Sequence, residues 1–123
     1  MNSRRKGKVG EREARDVVRC WWFAPDCIRA AQSNGKHSAD LLNAGEGVHV
    51  EVKRRRRILA CDYMKQAMAD AKKDEFPVVL MREDGGGWLV MVRVEESLAF
   101  AKMILKNKEI EDAGRERQRA EVQ

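Results

Sequence analysis

The strict alternation of Val48-His49-Val50-Glu51-Val52-Lys53 constrains this chain more than any other stretch. Valines at every second position give a β-strand one apolar face and leave His49, Glu51 and Lys53 on the other. Upstream, residues 39–44 predict a second short strand, and Gly45-Glu46 predicts a tight hairpin turn between the two. A loop of even length sets Ala44 opposite Gly47 and Asp40 directly opposite Glu51. A loop of odd length sets Asp40 opposite Val52 instead. In the even register the two acidic Cβ atoms lie about 4.5–5.5 Å apart, where like charges repel. Such a pair requires a proton, a cation or a nearby ammonium. Lys53 points to the same face one pleat further on, so the stretch predicts a divalent-metal site with an electrophilic helper.

A chain of 123 residues forms one domain with a single modest core. Its charge is unevenly placed: residues 1–57 carry 14 Lys and Arg against 7 Asp and Glu, while residues 58–123 carry 11 against 13. A basic half of this kind favours a polyanion partner, with nucleic acid ahead of a membrane surface. No apolar run approaches the roughly 18–20 residues of a membrane span, and no apolar segment follows the basic N-terminus as a signal peptide requires. Cys20, Cys27 and Cys61 have no metal-ligand spacing, and their odd number reads as free thiols in a reducing cytoplasm. His37 and His49 are too few and too scattered for zinc.

From Val9 to Trp22 a helix is predicted, with Ala14, Val17, Val18, Trp21 and Trp22 on one stripe. Glu11 falls within that stripe's arc. It is either an inward carboxylate in need of a partner or an early-turn glutamate favoured by the helix dipole. A short strand is expected at residues 27–31. The polar loop Ser33 to Ser38, with Lys36, either contacts phosphates or is a solvated turn. After the hairpin, Arg54-Arg55-Arg56-Arg57 is either a solvated run or, directly beyond a candidate metal site, a phosphate-binding one, which is the favoured reading. A second helix is expected from an Asp62 N-cap to Lys73, with Met64, Ala67, Met68 and Ala71 inward. Gln66 on its other face either supports the site by a hydrogen bond or, as the pattern favours, faces solvent. Residues 77–82 and 88–94 are nearly continuous apolar strands joined by Asp84-Gly85-Gly86-Gly87, which predicts a hairpin inside a helix-covered sheet. A third helix is expected over residues 95–106, followed by a highly charged segment that is an exposed helix or disordered.

The ordered set Arg5-Lys6-Gly7, Gly10-Glu11-Arg12-Glu13, Arg29-Ala30-Ala31 and Asp40-(ten residues)-Glu51-Val52-Lys53, followed by the Pro77 strand and its Trp88 partner, resembles the PD-(D/E)XK nucleases. Within them it is most similar to the archaeal-type Holliday junction resolvases and their phage-encoded relatives. Ala39 stands where that pattern has proline, and the loop from Ala31 to Asp40 is longer than expected. The resemblance implies an α/β restriction-endonuclease-like core, with a mixed central sheet of about four to five strands flanked by helices. It implies a nuclease domain over residues 1–106 and a charged C-terminal helix or tail over 107–123. It also implies a metal-dependent endonuclease acting on branched DNA, working as a homodimer or higher oligomer in the cytoplasm (of the host, if phage-encoded). A nickase or repair-type nuclease on duplex DNA and a non-catalytic DNA-binding module are the alternatives. By the same resemblance Glu11, Asp40, Glu51 and Lys53 are catalytic, with Asp40, Glu51 and the Val52 carbonyl oxygen holding Mg²⁺, or Mn²⁺ in its place. DNA contacts fall to Arg5, Lys6, Arg29, Ser33, Lys36, Ser38 and Arg54 to Arg57.

Overall fold

The alternating stretch forms the middle strand of a five-stranded sheet whose spatial order follows chain order. The strands are β1 (Ile28–Arg29), β2 (Leu41–Leu42), β3 (Val48–Arg55), β4 (Phe76–Glu83) and β5 (Leu89–Val92). The computed structural model describes residues 3–30 and 38–122; the expected loop contacts Ser33 and Lys36 lie outside the described residues. β1 and β2 are antiparallel, as are β2 and β3; β3 and β4 are parallel, and β5 returns antiparallel to β4. A parallel pair needs a crossover, and α2 (Ala60–Asp70) provides it. α1 (Ser3–Trp21) precedes the sheet, and α3 (Ser97–Val122) follows it after one 3₁₀ turn at Val94–Glu96. This mixed five-stranded sheet flanked by helices agrees with the α/β core of about four to five strands that the resemblance implied.

Both faces of the sheet are covered. Val50, Val52, Val78 and Leu80 meet Ala14 and Val18 of α1, Trp22 just beyond its end, and Met103 of α3. Trp22 stands edge-on to Phe100, with ring centroids 5.2 Å apart. On the opposite face Val79 and Met81 pack against Tyr63, Met64 and Ala67 of α2. His49, Glu51 and Lys53 belong to this second face, since β3 and β4 run in register with Glu51 beside Val79 and Lys53 beside Met81. Pro77 sits in β4 without disturbing the ladder. The Phe76 N–H bonds Gly47 on the β3 side, so the Pro77 nitrogen faces the other way, where β5 pairs only from Val78 on.

Two close approaches fix the layers. A Cβ on Gly10 would sit 3.0 Å from the Arg54 Cβ, so glycine lets α1 lie directly on β3. A Cβ on Gly45 would overlap the Met103 side chain at 2.4 Å, so the β2–β3 hairpin seats against α3. The Asn107 amide then ties three elements together by donating to the carbonyls of Trp22 (3.0 Å) and Ala44 (2.9 Å).

Several local expectations change. Trp22 is buried and its neighbour Trp21 is 72% exposed, because only Trp22 keeps step with Ala14 and Val18. α2 begins at Ala60 with Leu59 as its N-cap and no side-chain cap, which places Asp62 in the first turn. Tyr63 turns inward and Met68 outward. β5 is not an interior strand: it forms the sheet edge, and Leu89 and Val90 are exposed. α3 runs through residue 107 without a break as far as Val122.

Candidate active site

The site forms where the short strand β2 meets the long strand β3. Leu41 pairs with Val50, the even register that the hairpin predicts. At the next residue the pairing steps. The Asp40 N–H also donates to the Val50 carbonyl at 2.9 Å, so two consecutive residues face one residue of β3. This is a bulge, a device that re-aims a side chain at the end of a ladder. It carries the Asp40 carboxylate along β3, where Oδ2 accepts the Val52 N–H at 2.8 Å. The N–H and C=O of one strand residue point the same way, so the Val52 carbonyl is also directed to the Asp40 side of β3.

Asp40 and Glu51 are in electrostatic and hydrogen-bonding contact. Burial, then the Glu51 charge, pushes the Asp40 carboxyl up to about 7 against the opposing pull of the Val52 N–H. Hydrogen bonding to Glu51 and the Glu11 charge add to the rise. The site thus disfavours a second negative charge on the pair, and a divalent cation would relieve that repulsion. Among the described residues no group of three His, Cys, Asp or Glu side chains converges on one point. The Asp40 and Glu51 carboxyls and the Val52 carbonyl are hard oxygen donors, a type that suits Mg²⁺ or Mn²⁺ and not zinc. These residues fit the cation that the resemblance implied.

Lys53 is half-buried on the same face, its ammonium 5.8 Å from the centre of the Tyr63 ring. Among the described residues it makes no ion pair. Glu11 is drawn to the α1 side of the sheet, where Arg29 holds it through Nε and Nη2, each 3.0 Å from Oε2. It reaches the carboxylate pair through its charge on Asp40 and not through a shared position on β3.

The basic residues divide into two groups. Arg54 turns inward to Glu13 at 3.1 Å, and Glu13 also takes Arg82. Lys6 bonds Asp84 at 2.5 Å, and Arg29 is engaged with Glu11 as above. Arg5, Arg55, Arg56 and Arg57 are exposed, and Ser38 is half-buried beside Asp40. A uniform phosphate-binding run over Arg54 to Arg57 is thus split: its first member braces α1 on β3 and the other three face solvent.

One residue outside the expected set joins the site. His49 is 1% exposed and lies behind Glu51, with Nε2 2.9 Å from Oε1. Burial disfavours the charged ring, but the Glu51 hydrogen bond and the Glu51, Glu75 and Asp70 charges outweigh it and raise the His49 pKa. The signal was present in the alternation, which sets His49 two residues from Glu51 on one face. Gln66 is exposed on α2, the solvent-facing position that its pattern favoured.

No protein-family model matches the chain, and no curated protein matches it. Among solved structures it is similar to that of Archaeoglobus fulgidus Hjc, a Holliday junction resolvase from an archaeal hyperthermophile. The likeness has 24% sequence identity and a TM-score of 0.49, and covers 71% of this chain and 72% of that one.

Proposed function

We propose that this chain is a metal-dependent DNA endonuclease that hydrolyses phosphodiester bonds in branched DNA of the Holliday-junction type. The observation that carries the reading is the Asp40–Glu51 pair, two carboxyl groups that the β2–β3 register brings close enough for the Glu51 charge to help raise Asp40 to about 7, with Lys53 on the same strand face as Glu51. A protein that only binds a polyanion has no use for such a pair. Asp40, Glu51 and the Val52 carbonyl would hold Mg²⁺ or Mn²⁺. When bound, the cation supplies a Lewis acid for the phosphate and a water of lowered pKa. Lys53 orients the attacking water or offsets charge building on the phosphate. Glu11 adds negative potential from the α1 side. Arg5, Arg55, Arg56 and Arg57 offer exposed cations for the DNA backbone, with Lys6, Arg29 and Ser38 as further candidate contacts.

Resolution of a four-way junction needs two symmetric nicks, so the proposal includes a C2 homodimer with two such sites. The open β5 edge, with Leu89, Val90, Val94 and Leu98 exposed beside it, supports an apolar interface. No helix among the described residues is long and apolar enough to cross a membrane. A cytoplasmic setting is part of the proposal, supported by three unpaired cysteines.

The test is incubation with labelled four-way junction, linear duplex and single strand, each with Mg²⁺ and with chelator. Paired symmetric nicks in the junction alone, lost in chelator, are expected. Equal cutting of linear duplex would replace the junction reading with a nickase or repair-type nuclease. Full activity in chelator would remove the metal, and binding without any cutting would leave a DNA-binding module.

A further inference from the structure

The polar row of β3 begins with a residue that the proposed chemistry does not use. His49 is almost wholly enclosed, on the face that Met64 and Ala67 of α2 and Val79 of β4 make apolar. An imidazole there loses its hydration and persists only if its nitrogens find partners. Both point at carboxylates. Nε2 lies 2.9 Å from Glu51 Oε1, and Nδ1 lies 3.9 Å from Glu75 Oε1, itself fixed by the Lys72 N–H at 2.9 Å. Glu51 is 3% exposed, so bulk solvent barely reaches it.

The arrangement has a direct consequence for Glu51. A carboxylate presents two oxygens, and a hydrogen bond to one fixes the plane and direction of the other. Groups that bond the ligands of a metal in this way set ligand orientation, and their loss commonly lowers metal affinity about 10–100-fold. We propose that His49 is a positioning residue. Its ring holds Glu51 Oε1 and thereby aims Oε2 at a divalent cation shared with Asp40. Glu75, in the turn between α2 and β4, sets its charge 3.9 Å from Nδ1 and so favours that ring orientation. This inference rests on the metal-site reading proposed above.

The experiment measures Mn²⁺ binding to the full chain by calorimetry, without DNA, under conditions where circular dichroism shows each variant folded. Wild type and Glu51→Gln come first. Binding by wild type that Glu51→Gln abolishes establishes the site independently of His49, whereas no binding by wild type overturns the metal reading and this inference with it. His49→Leu removes both ring nitrogens and is expected to weaken Mn²⁺ about 10–100-fold. His49→Gln returns an amide nitrogen near the Nε2 position and is expected to stay within about threefold of wild type. His49→Asn, whose amide is too short to reach Glu51, should behave like His49→Leu. If His49→Leu does not fold, the Gln and Asn pair decides the matter. Wild-type affinity in a folded His49→Leu or His49→Asn, with the site otherwise intact, overturns the positioning role.

Discussion

Replacing Asp40 by Asn should stabilise the metal-free protein, by an amount that depends on pH in a defined direction. Asp40 titrates at about 7 in the folded chain against a free value of 3.8. Below the free value both folded and unfolded chains hold the proton, and the group costs nothing. Between the two values the unfolded chain releases its proton while the folded one keeps it, so stability falls with rising pH. One pKa unit is worth about 1.4 kcal/mol. A shift of some three units therefore costs about 4 kcal/mol above pH 7, reduced to about 2–4 kcal/mol by solvent reaching the half-buried carboxyl. Asn keeps an oxygen for the Val52 N–H and never ionises. In urea titrations with chelator, Asp40→Asn should exceed wild type by about 2–4 kcal/mol at pH 8, with the gain vanishing near pH 4. Saturating Mg²⁺ should narrow the gap, since a ligand at 100 times its Kd stabilises wild type by about 2.7 kcal/mol. Equal stabilities at pH 8, or a difference that does not change with pH, would refute the reasoning.

Lys53→Ala should abolish cutting without tightening DNA binding, because it removes no negative charge; filter binding in Ca²⁺ beside a cleavage assay in Mg²⁺ separates the two effects. Neutralising Arg55, Arg56 and Arg57 should weaken binding to every DNA sequence and lower the salt slope by about 0.9 per lost phosphate contact. Arg54→Ala should instead destabilise the fold by about 1–2 kcal/mol in thermal melts by leaving Glu13 to Arg82 alone. Sedimentation should report at least twice the 14.1 kDa chain mass, and Val94→Glu, which places a charge at a side chain 87% exposed beside the sheet edge, should return a monomer.

The sequence was legible where local pattern decides structure and opaque where distant segments meet. The valines of β3 announced the strand and its apolar face. They did not announce that the face of His49 and Glu51 is also enclosed, because α2 arrives from the next segment and covers it. For the same reason the apolar run of β5 read as interior: burial on an edge depends on whether a further strand exists, which periodicity cannot report. Trp21 and Trp22 fitted one broad stripe, but only Trp22 keeps step with Ala14 and Val18 and packs against Phe100. The even register, one of two that the loop left open, is the one formed, yet the bulge at Asp40 was not legible, since it depends on a second hydrogen bond to Val50. Arg54 was grouped with its neighbours because its partner Glu13 lies 41 residues away in the chain.

The Asn107 tie has a consequence for the order in which the molecule can be completed during synthesis. The hairpin that sets Asp40 against Glu51 is anchored at Ala44 by a side chain that follows it by 63 residues. At about 5–20 residues per second, the ribosome delivers that anchor several seconds after both carboxylates have been made. Until then the hairpin lacks both this donor and the Met103 surface on which Gly45 rests. A nascent chain stalled short of residue 107 therefore presents both acidic residues without the clamp on the loop that joins them, and the last long helix completes a centre whose chemical groups were all translated earlier.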